Sequence, residues 1–348
     1  MTTEKQIKAV GFYEGLPIDN ERSFIDAWQP LPEPNAHELL VKVTAVSVNP
    51  VDTKLRQATE KQKELRVLGF DGVGEVIAVG SKVSKFKRGD RVFYAGTTMK
   101  PGSNQEMQVV DERIVALAPT NLTDAQAAAL PLTAITAYEL LFEKFGLVPE
   151  ENANAGKSIL VINGAGGVGS ILSQLAHWAG LKIFATSSPK NFDWLRENGV
   201  AHPIDYHQEI KPQIEKENIQ LLDYIAVLYD IHSYLPSLSE LIKPFGHIGT
   251  IVATEQPLAM NLLKNKSVSF DWEYMFAKTD YDQRIETQGE SLQKIAELVE
   301  QGKLTSTLHT HYADGINAKN LKAATAQVES GHEHGKTVIS GLFNAEII

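Results

Sequence analysis

The hydrophobic positions change rhythm along the chain. Up to about residue 130 they come in short, β-branched runs separated by glycine-bearing turns. Residues 38–48 (Glu-Leu-Leu-Val-Lys-Val-Thr-Ala-Val-Ser-Val) show the partial alternation of a strand, and residues 73–80 are similar. The Lys-Arg-Gly-Asp stretch at 87–90 is a turn leading into another strand. Many short strands with glycine-rich turns predict a compact β-rich barrel.

The middle of the chain alternates differently. Residues 123–130 open like a capped helix, with Thr123 as the cap and Gln126 three residues on. Pro131 interrupts, a second helical run covers 134–145 up to Gly146, and 149–157 is an unpatterned polar loop. Residues 158–163 form an apolar run of the kind buried on both faces, followed by a helix over 168–180, a strand at 182–186 and a short helix at 191–198. Further strands are predicted at 223–229 and 247–252, with the end of a helix at 239–243 between them. Such alternation predicts a doubly wound parallel sheet. After an amphipathic helix at 290–301, residues 336–340 read as a strand returning to the first domain. The expected division is therefore 1–130 with 275–348 as one domain and 131–274 as the other, in line with the usual size of about 150 residues per domain.

Composition narrows the chemistry. The 348 residues carry 33 Lys and Arg against 43 Asp and Glu, a formal charge of −10, and no basic stripe, so nucleic acid is not an expected partner. No run is long and apolar enough for a membrane helix, and the N-terminal Met-Thr-Thr-Glu-Lys-Gln lacks the apolar stretch of a signal peptide. The expectation is a cytoplasmic protein. Cysteine is absent, which excludes disulfides, thiolate nucleophiles, iron–sulfur clusters and every cysteine-bearing zinc site.

The sharpest motif is Asn163-Gly-Ala-Gly-Gly-Val-Gly169, in which Gly164, Gly166 and Gly169 satisfy G-x-G-x-x-G between a buried strand and a helix. Glycine lets the backbone turn tightly and approach a pyrophosphate, and the helix start offers N–H groups and a positive dipole end. Gly164, Ala165, Gly166, Gly167, Val168 and Gly169 are thus the expected dinucleotide contacts. About 20 residues on, where an acid would bind the ribose hydroxyls of NAD, stand Thr186, Ser187, Ser188 and Lys190. Hydroxyls and a cation suit a 2′-phosphate, so the expected cofactor is NADPH. The plainer reading is that Ser187-Ser-Pro makes a turn and caps the next helix.

At this point the chain resembles the medium-chain dehydrogenases/reductases, on the quinone oxidoreductase side. The carriers are Val46-Ser-Val-Asn-Pro-Val-Asp-Thr-Lys54, Leu68-Gly-Phe-Asp-Gly-Val-Gly-Glu-Val76, Phe86-Lys-Arg-Gly-Asp-Arg-Val92, Ala129-Leu-Pro-Leu-Thr-Ala-Ile-Thr-Ala-Tyr138 and the glycine loop. They span essentially the whole chain and are similar to the zinc-type alcohol dehydrogenase-like subgroup. The resemblance implies an α/β protein: a GroES-like β-rich catalytic domain plus a Rossmann domain. It also implies that the positions of the two cysteines and the histidine that hold catalytic zinc fall on Asn49, Phe70 and, nearby, Leu132. Phenylalanine and leucine cannot ligate a metal. The four-cysteine lobe for structural zinc is replaced by a short loop at 96–106. His309-Thr-His311 and His332-Glu-His334 are the close histidine pairs, and both read as exposed loop residues. No metal is expected.

Without a Lewis acid, oxidising an alcohol is hard, while an already electrophilic acceptor still takes hydride easily. The resemblance implies NADPH-dependent reduction of a small quinone or enone. Asn49 would donate to the substrate carbonyl or the nicotinamide ribose, with a turn residue before Pro50 as the plain reading. Asp52 and Lys54 would line the cleft floor, and Lys54 would stabilise developing charge or be a solvated lysine. Thr133 and Thr136 match the segment beside the nicotinamide, with Thr133 the better catalytic candidate. Tyr206 matches a tyrosine near the adenosine phosphate, Leu228 lies near the adenosine ribose, and Thr250, Ile251 and Val252 end the strand that meets the carboxamide. Tyr94, Phe276 and Trp272 are aromatic candidates for a substrate wall, and Lys336 falls where relatives carry a basic residue near the cofactor. Relatives form homodimers edge to edge, and residues 262–270 would supply that edge. The alternatives are a zinc-type alcohol dehydrogenase, which the three lost ligands oppose, and an NADPH-binding redox sensor or structural protein with little turnover.

Overall fold

The computed structural model describes residues 5–344. In chain order the elements are β1 (Gln6–Gly11), β2 (Ile25–Pro30), β3 (Glu38–Val48), α1 (Pro50–Gln57), β4 (Asp71–Val79), β5 (Arg91–Tyr94), β6 (Met107–Asp111), β7 (Val115–Leu117), α2 (Asp124–Ala128) and α3 (Pro131–Tyr138). There follow β8 (Ser158–Ile162), α4 (Gly167–Trp178), β9 (Lys182–Ser187), α5 (Phe192–Glu197), β10 (His202–Asp205), α6 (Ile210–Glu215), β11 (Leu222–Val227), α7 (Ile231–Leu241), β12 (Ile242–Thr250), α8 (Asn261–Lys264) and β13 (Ser269–Trp272). The chain ends with α9 (Ala277–Asp280), α10 (Glu286–Glu300), β14 (Leu308–Tyr312), α11 (Ala318–Glu329) and β15 (Lys336–Ser340). It divides into two compact units, one up to Leu132 and again from Phe276, the other Thr133–Met275.

The first unit is built on a seven-stranded sheet in the order β14-β15-β3-β4-β5-β7, with β6 also paired to β3, and a separate β1–β2 ladder. β3 is its hub. Nine of its eleven residues are buried, and it is bonded to β4, β6 and β15, all antiparallel. The strand at 336–340 does return to this unit, with Ile339 opposite Val46. On one side Phe12, Val46, Leu321 and Ile339 pack together; on the other, Val41, Val76, Val92 and Tyr94 do.

The second unit is a six-stranded parallel sheet in the order β10-β9-β8-β11-β12-β13. Counted from its own first strand this is 3-2-1-4-5-6, the doubly wound order whose switch point lies at the carboxyl ends of the first and fourth strands. β8 is buried along its whole length, as its apolar run requires.

Pro131 corrects one expectation. It opens α3 rather than breaking a helix. In the first turn a missing N–H costs nothing and the ring presets φ. The capping box at α2 is formed as its sequence predicts, Thr123 accepting from the Gln126 N–H. Residues 139–144, within the second helical run, wind as a π-helix.

Candidate active site

The glycine turn lies between β8 and α4. Asn163 opens it in the left-handed region, φ 66°, and the Gly164 N–H donates to the Thr186 carbonyl at 2.9 Å. A Cβ on Gly164 would stand 2.6 Å from the Ala185 Cβ, and one on Gly169 would stand 2.5 Å from the carbonyl oxygens of Asn163 and Gly164. These two glycines, with buried Ala165, let the turn close on the sheet. Gly166, Gly167 and Val168 are half-exposed, and Gly166 caps α4 without a side chain in the way. The amides at a helix start have no carbonyl one turn back, so this rim can seat an anion. The turn thus fits a dinucleotide pyrophosphate.

The cluster after β9 is sorted by the structure. Thr186 is buried, and its hydroxyl oxygen accepts the Asn163 N–H at 2.9 Å, so it braces the turn and does not face a phosphate. Ser187 is also buried and accepts from the Asn191 side-chain amide. Ser188 is half-exposed, its hydroxyl 3.1 Å from the Tyr206 hydroxyl, and Lys190 is exposed. Tyr206 is exposed and stacks on His207. Asp205 beside it is held below the usual carboxylate range by hydrogen bonds from His207. Leu228 is buried, its carbonyl 3.4 Å from the Asn163 amide nitrogen. The Thr250 hydroxyl donates to the Val227 carbonyl, and Ile251 and Val252 follow half-exposed. All of these stand at the carboxyl ends of their strands. Thr133 and Thr136 are both buried and lie three residues apart on one face of α3.

In the first unit the positions matched to zinc ligands hold a different construction. Asp71 is fully buried and acts as its hub. One carboxylate oxygen accepts the Leu132 N–H at 2.7 Å; the other accepts the Asn49 side-chain amide at 2.8 Å, the Ser47 hydroxyl, and the Lys336 ammonium at 3.1 Å. The same ammonium donates to the Asn49 side-chain oxygen and lies 3.4 Å from the Val48 carbonyl. The Phe70 ring packs against Phe276, centroids 4.6 Å apart and planes tilted by 51°. A cation is already present here, the oxygen donors are spoken for, and among the described residues no group of three or more His, Cys, Asp or Glu side chains is placed to hold an ion. The residues do not fit a catalytic zinc.

Four expectations are corrected. Lys336, expected at the cofactor, is buried and spends its ammonium on Asn49, Asp71 and Val48. Asp52, expected on the cleft floor, is buried; one oxygen caps α1 by accepting the Asn49 N–H at 2.9 Å, and the other has no protein partner. Burial, with the Asp71 charge adding to it, pushes its carboxyl up to about 7. Tyr94 is no substrate wall: it is completely buried, its hydroxyl donates to Gln108, and its ring fills the space a Cβ on Gly72 would need. Phe276 packs behind Phe70 and is not among the residues that line the pocket beside it. Lys54 is exposed on α1. His309 and His334 pack ring against ring at 3.6 Å, an encounter that their spacing did not announce.

A pocket of about 320 Å³ opens beside Phe70. Leu55, Leu68 and Phe70 give it apolar walls, and Arg66, Met99 and Lys100 also line it. Its far side is the short loop at 96–106.

Known proteins bear on this architecture. The family described as the alcohol dehydrogenase GroES-like domain matches residues 35–120, and that described as zinc-binding dehydrogenase matches 198–339. A zinc-type alcohol dehydrogenase-like protein of Staphylococcus epidermidis is 43% identical over 96% of this chain and 99% of its own length. The chain belongs to the medium-chain dehydrogenase/reductase superfamily. An NADPH-dependent alkenal/one oxidoreductase of Arabidopsis thaliana is 32% identical over 89% of this chain and 73% of its own. A crystal structure of a protein from Rhizobium etli described as a zinc-dependent alcohol dehydrogenase superposes with TM-score 0.92 at 38% identity, covering 98% and 99% of the two chains. Medium-chain dehydrogenases/reductases are oxidoreductases that bind a nicotinamide cofactor, and this chain has their GroES-like domain and parallel-sheet Rossmann-like domain. No described helix is long and apolar enough to cross a membrane.

Proposed function

We propose that the protein reduces quinones or α,β-unsaturated carbonyl compounds with NADPH and without a metal. The observation that carries this reading is the Asp71 hub. Where a zinc enzyme would polarise an alcohol oxygen, this chain has Asn49 locked between Asp71 and the Lys336 ammonium, a phenylalanine and a leucine. With no Lewis acid, the workable substrates are those whose conjugation already spreads the incoming charge.

NADPH, when bound, supplies a hydride from nicotinamide C4 to the conjugated acceptor. The chain's own residues do the holding. The rim Gly166–Val168 binds pyrophosphate, and Ser188, Lys190 and Tyr206 bind the 2′-phosphate. Of the expected 2′-phosphate ligands Ser188 and Lys190 keep polar groups at the surface, Tyr206 stands exposed beside Ser188, and β9 ends with no acid to repel a phosphate. Leu228, Ile251 and Val252 line the cofactor's path at the strand ends, with Thr136 and Thr133 on α3. The pocket beside Phe70 receives the acceptor, and the product takes up one proton. As a homodimer the chain would use the outer edge of β13, which pairs only with β12 among the described strands and exposes Trp272.

The test is NADPH oxidation by metal-stripped protein with 1,4-benzoquinone, 9,10-phenanthrenequinone and an enal, with NADH in parallel. Turnover with NADPH preferred and indifferent to EDTA is expected. Activity that needs added zinc would overturn the reading.

A further inference from the structure

Arg66 is the unusual member of the pocket beside Phe70. Its backbone is fixed by a two-way bridge to Phe12, at 2.9 and 3.1 Å, and its side chain is half-buried. One guanidinium nitrogen donates to the Thr59 hydroxyl at 2.9 Å, and Thr59, itself buried, is held in turn by the Leu55 carbonyl. Guanidinium carries five N–H donors in a planar fork. Among the described residues the rest of this fork meets no side-chain or backbone acceptor and no carboxylate within ion-pair reach. The neighbouring cation, Lys100, is matched by Glu38. Glu64, on the same wall, is exposed and makes no ion pair with Arg66. The unused part of the fork is positioned and free to bind, and a planar carboxylate is the group its geometry matches in two places at once. In a chain of net charge −10, an anion would not collect here without a specific partner.

We propose that this pocket takes acceptors carrying a carboxylate, which Arg66 grips while the conjugated body lies against Leu55, Leu68 and Phe70. The substrate class is an enone acid or quinone acid rather than a neutral enal. The assignment of the carboxylate rests on the pocket; that its bearer is reduced rests on the reductase reading above.

The probes are 3-benzoylacrylate, its methyl ester and the unreactive saturated acid 3-benzoylpropionate. Wild-type protein should reduce the acid with kcat/KM about tenfold or more above the ester, the ratio a charge-assisted fork supplies. Arg66→Met should erase that preference by raising KM for the acid about tenfold more than it raises KM for the ester. Arg66→Lys, which keeps charge but not the fork, should fall between. Equal rates for acid and ester in wild type, or equal loss of both in Arg66→Met, would overturn the proposal. Calorimetry with 3-benzoylpropionate gives a readout independent of turnover. Binding that disappears in Arg66→Met supports the carboxylate site even where no acceptor is reduced, which would count against the reductase reading alone. Absence of binding to wild type would sink the site.

Discussion

Lys336 and Asp71, 265 residues apart in the chain, meet in a buried ion pair with Nζ 3.1 Å from the carboxylate oxygen. Both side chains are almost completely sealed from solvent. Coulomb attraction is strong in such surroundings, yet either charge alone would be badly solvated. Lys336→Met should therefore cost about 3–5 kcal/mol of stability, read from urea denaturation. Adding Asp71→Asn should restore much of the loss, because the second change removes the stranded charge and keeps an acceptor for the Leu132 N–H. A double variant no more stable than the single one would show that the pair does not act as a charge pair.

Asp52 gives a pH signature. Its carboxyl is raised from 3.8 to about 7 by burial. The folded state then holds a proton that the unfolded chain releases, so Asp52 contributes stability at low pH that fades as pH rises from about 4 through about 7. The upper limit of that contribution is on the order of 4 kcal/mol, from about 1.4 kcal/mol per pH unit. Asp52→Asn keeps an acceptor for the Asn49 N–H but cannot titrate. Denaturation midpoints measured across this window should flatten in the variant; an unchanged slope would contradict the assignment.

Gly169→Ala places a Cβ 2.5 Å from two backbone carbonyl oxygens, neither of which can rotate away. The turn must open, and the dissociation constant for NADPH should rise by about tenfold or more, equivalent to ~1.4 kcal/mol. Titration of nucleotide fluorescence checks this. Affinity close to wild type would mean that the turn is softer than its packing implies.

Cofactor choice should be set by Ser188 and Lys190 after β9 and Tyr206 after β10. Lys190→Glu puts a negative charge where a 2′-phosphate would lie and should raise KM for NADPH more than about tenfold while leaving NADH within about twofold. Thr186→Val, by contrast, should affect both cofactors equally, because that hydroxyl serves the Asn163 N–H. Steady-state kinetics with both nucleotides separates the two cases.

Local patterns carried the fold well. The β-branched, partly alternating run at 38–48 became β3 residue for residue, and the Thr123 cap and the strand–glycine–helix order after Ser158 need only neighbours a few residues away. What escaped was non-local. Nothing in a one-dimensional pattern says that Lys336 crosses to Asp71, or that Asp71 rather than Asn49 is the hub of its network. Tyr94 misled because an aromatic at a strand end reads alike in a core and on a pocket wall; only the absence of a side chain on Gly72 makes room for it inward. Thr186 misled for a related reason: a hydroxyl at the right distance from the glycine loop satisfied an amide before it could reach a ligand. Arg66 carried no signal, since its meaning depends on carboxylates that stay away.

The split of the first unit has a consequence for biosynthesis. The second unit is one continuous stretch and can close as soon as residue 275 clears the ribosome. β3, made early, must wait nearly three hundred residues for β15 to cover its edge and for Ile339 to reach Val46. Throughout elongation the nascent chain therefore presents an unfinished apolar ladder, the kind of edge that invites stray pairing, and its last strand is the one that locks it.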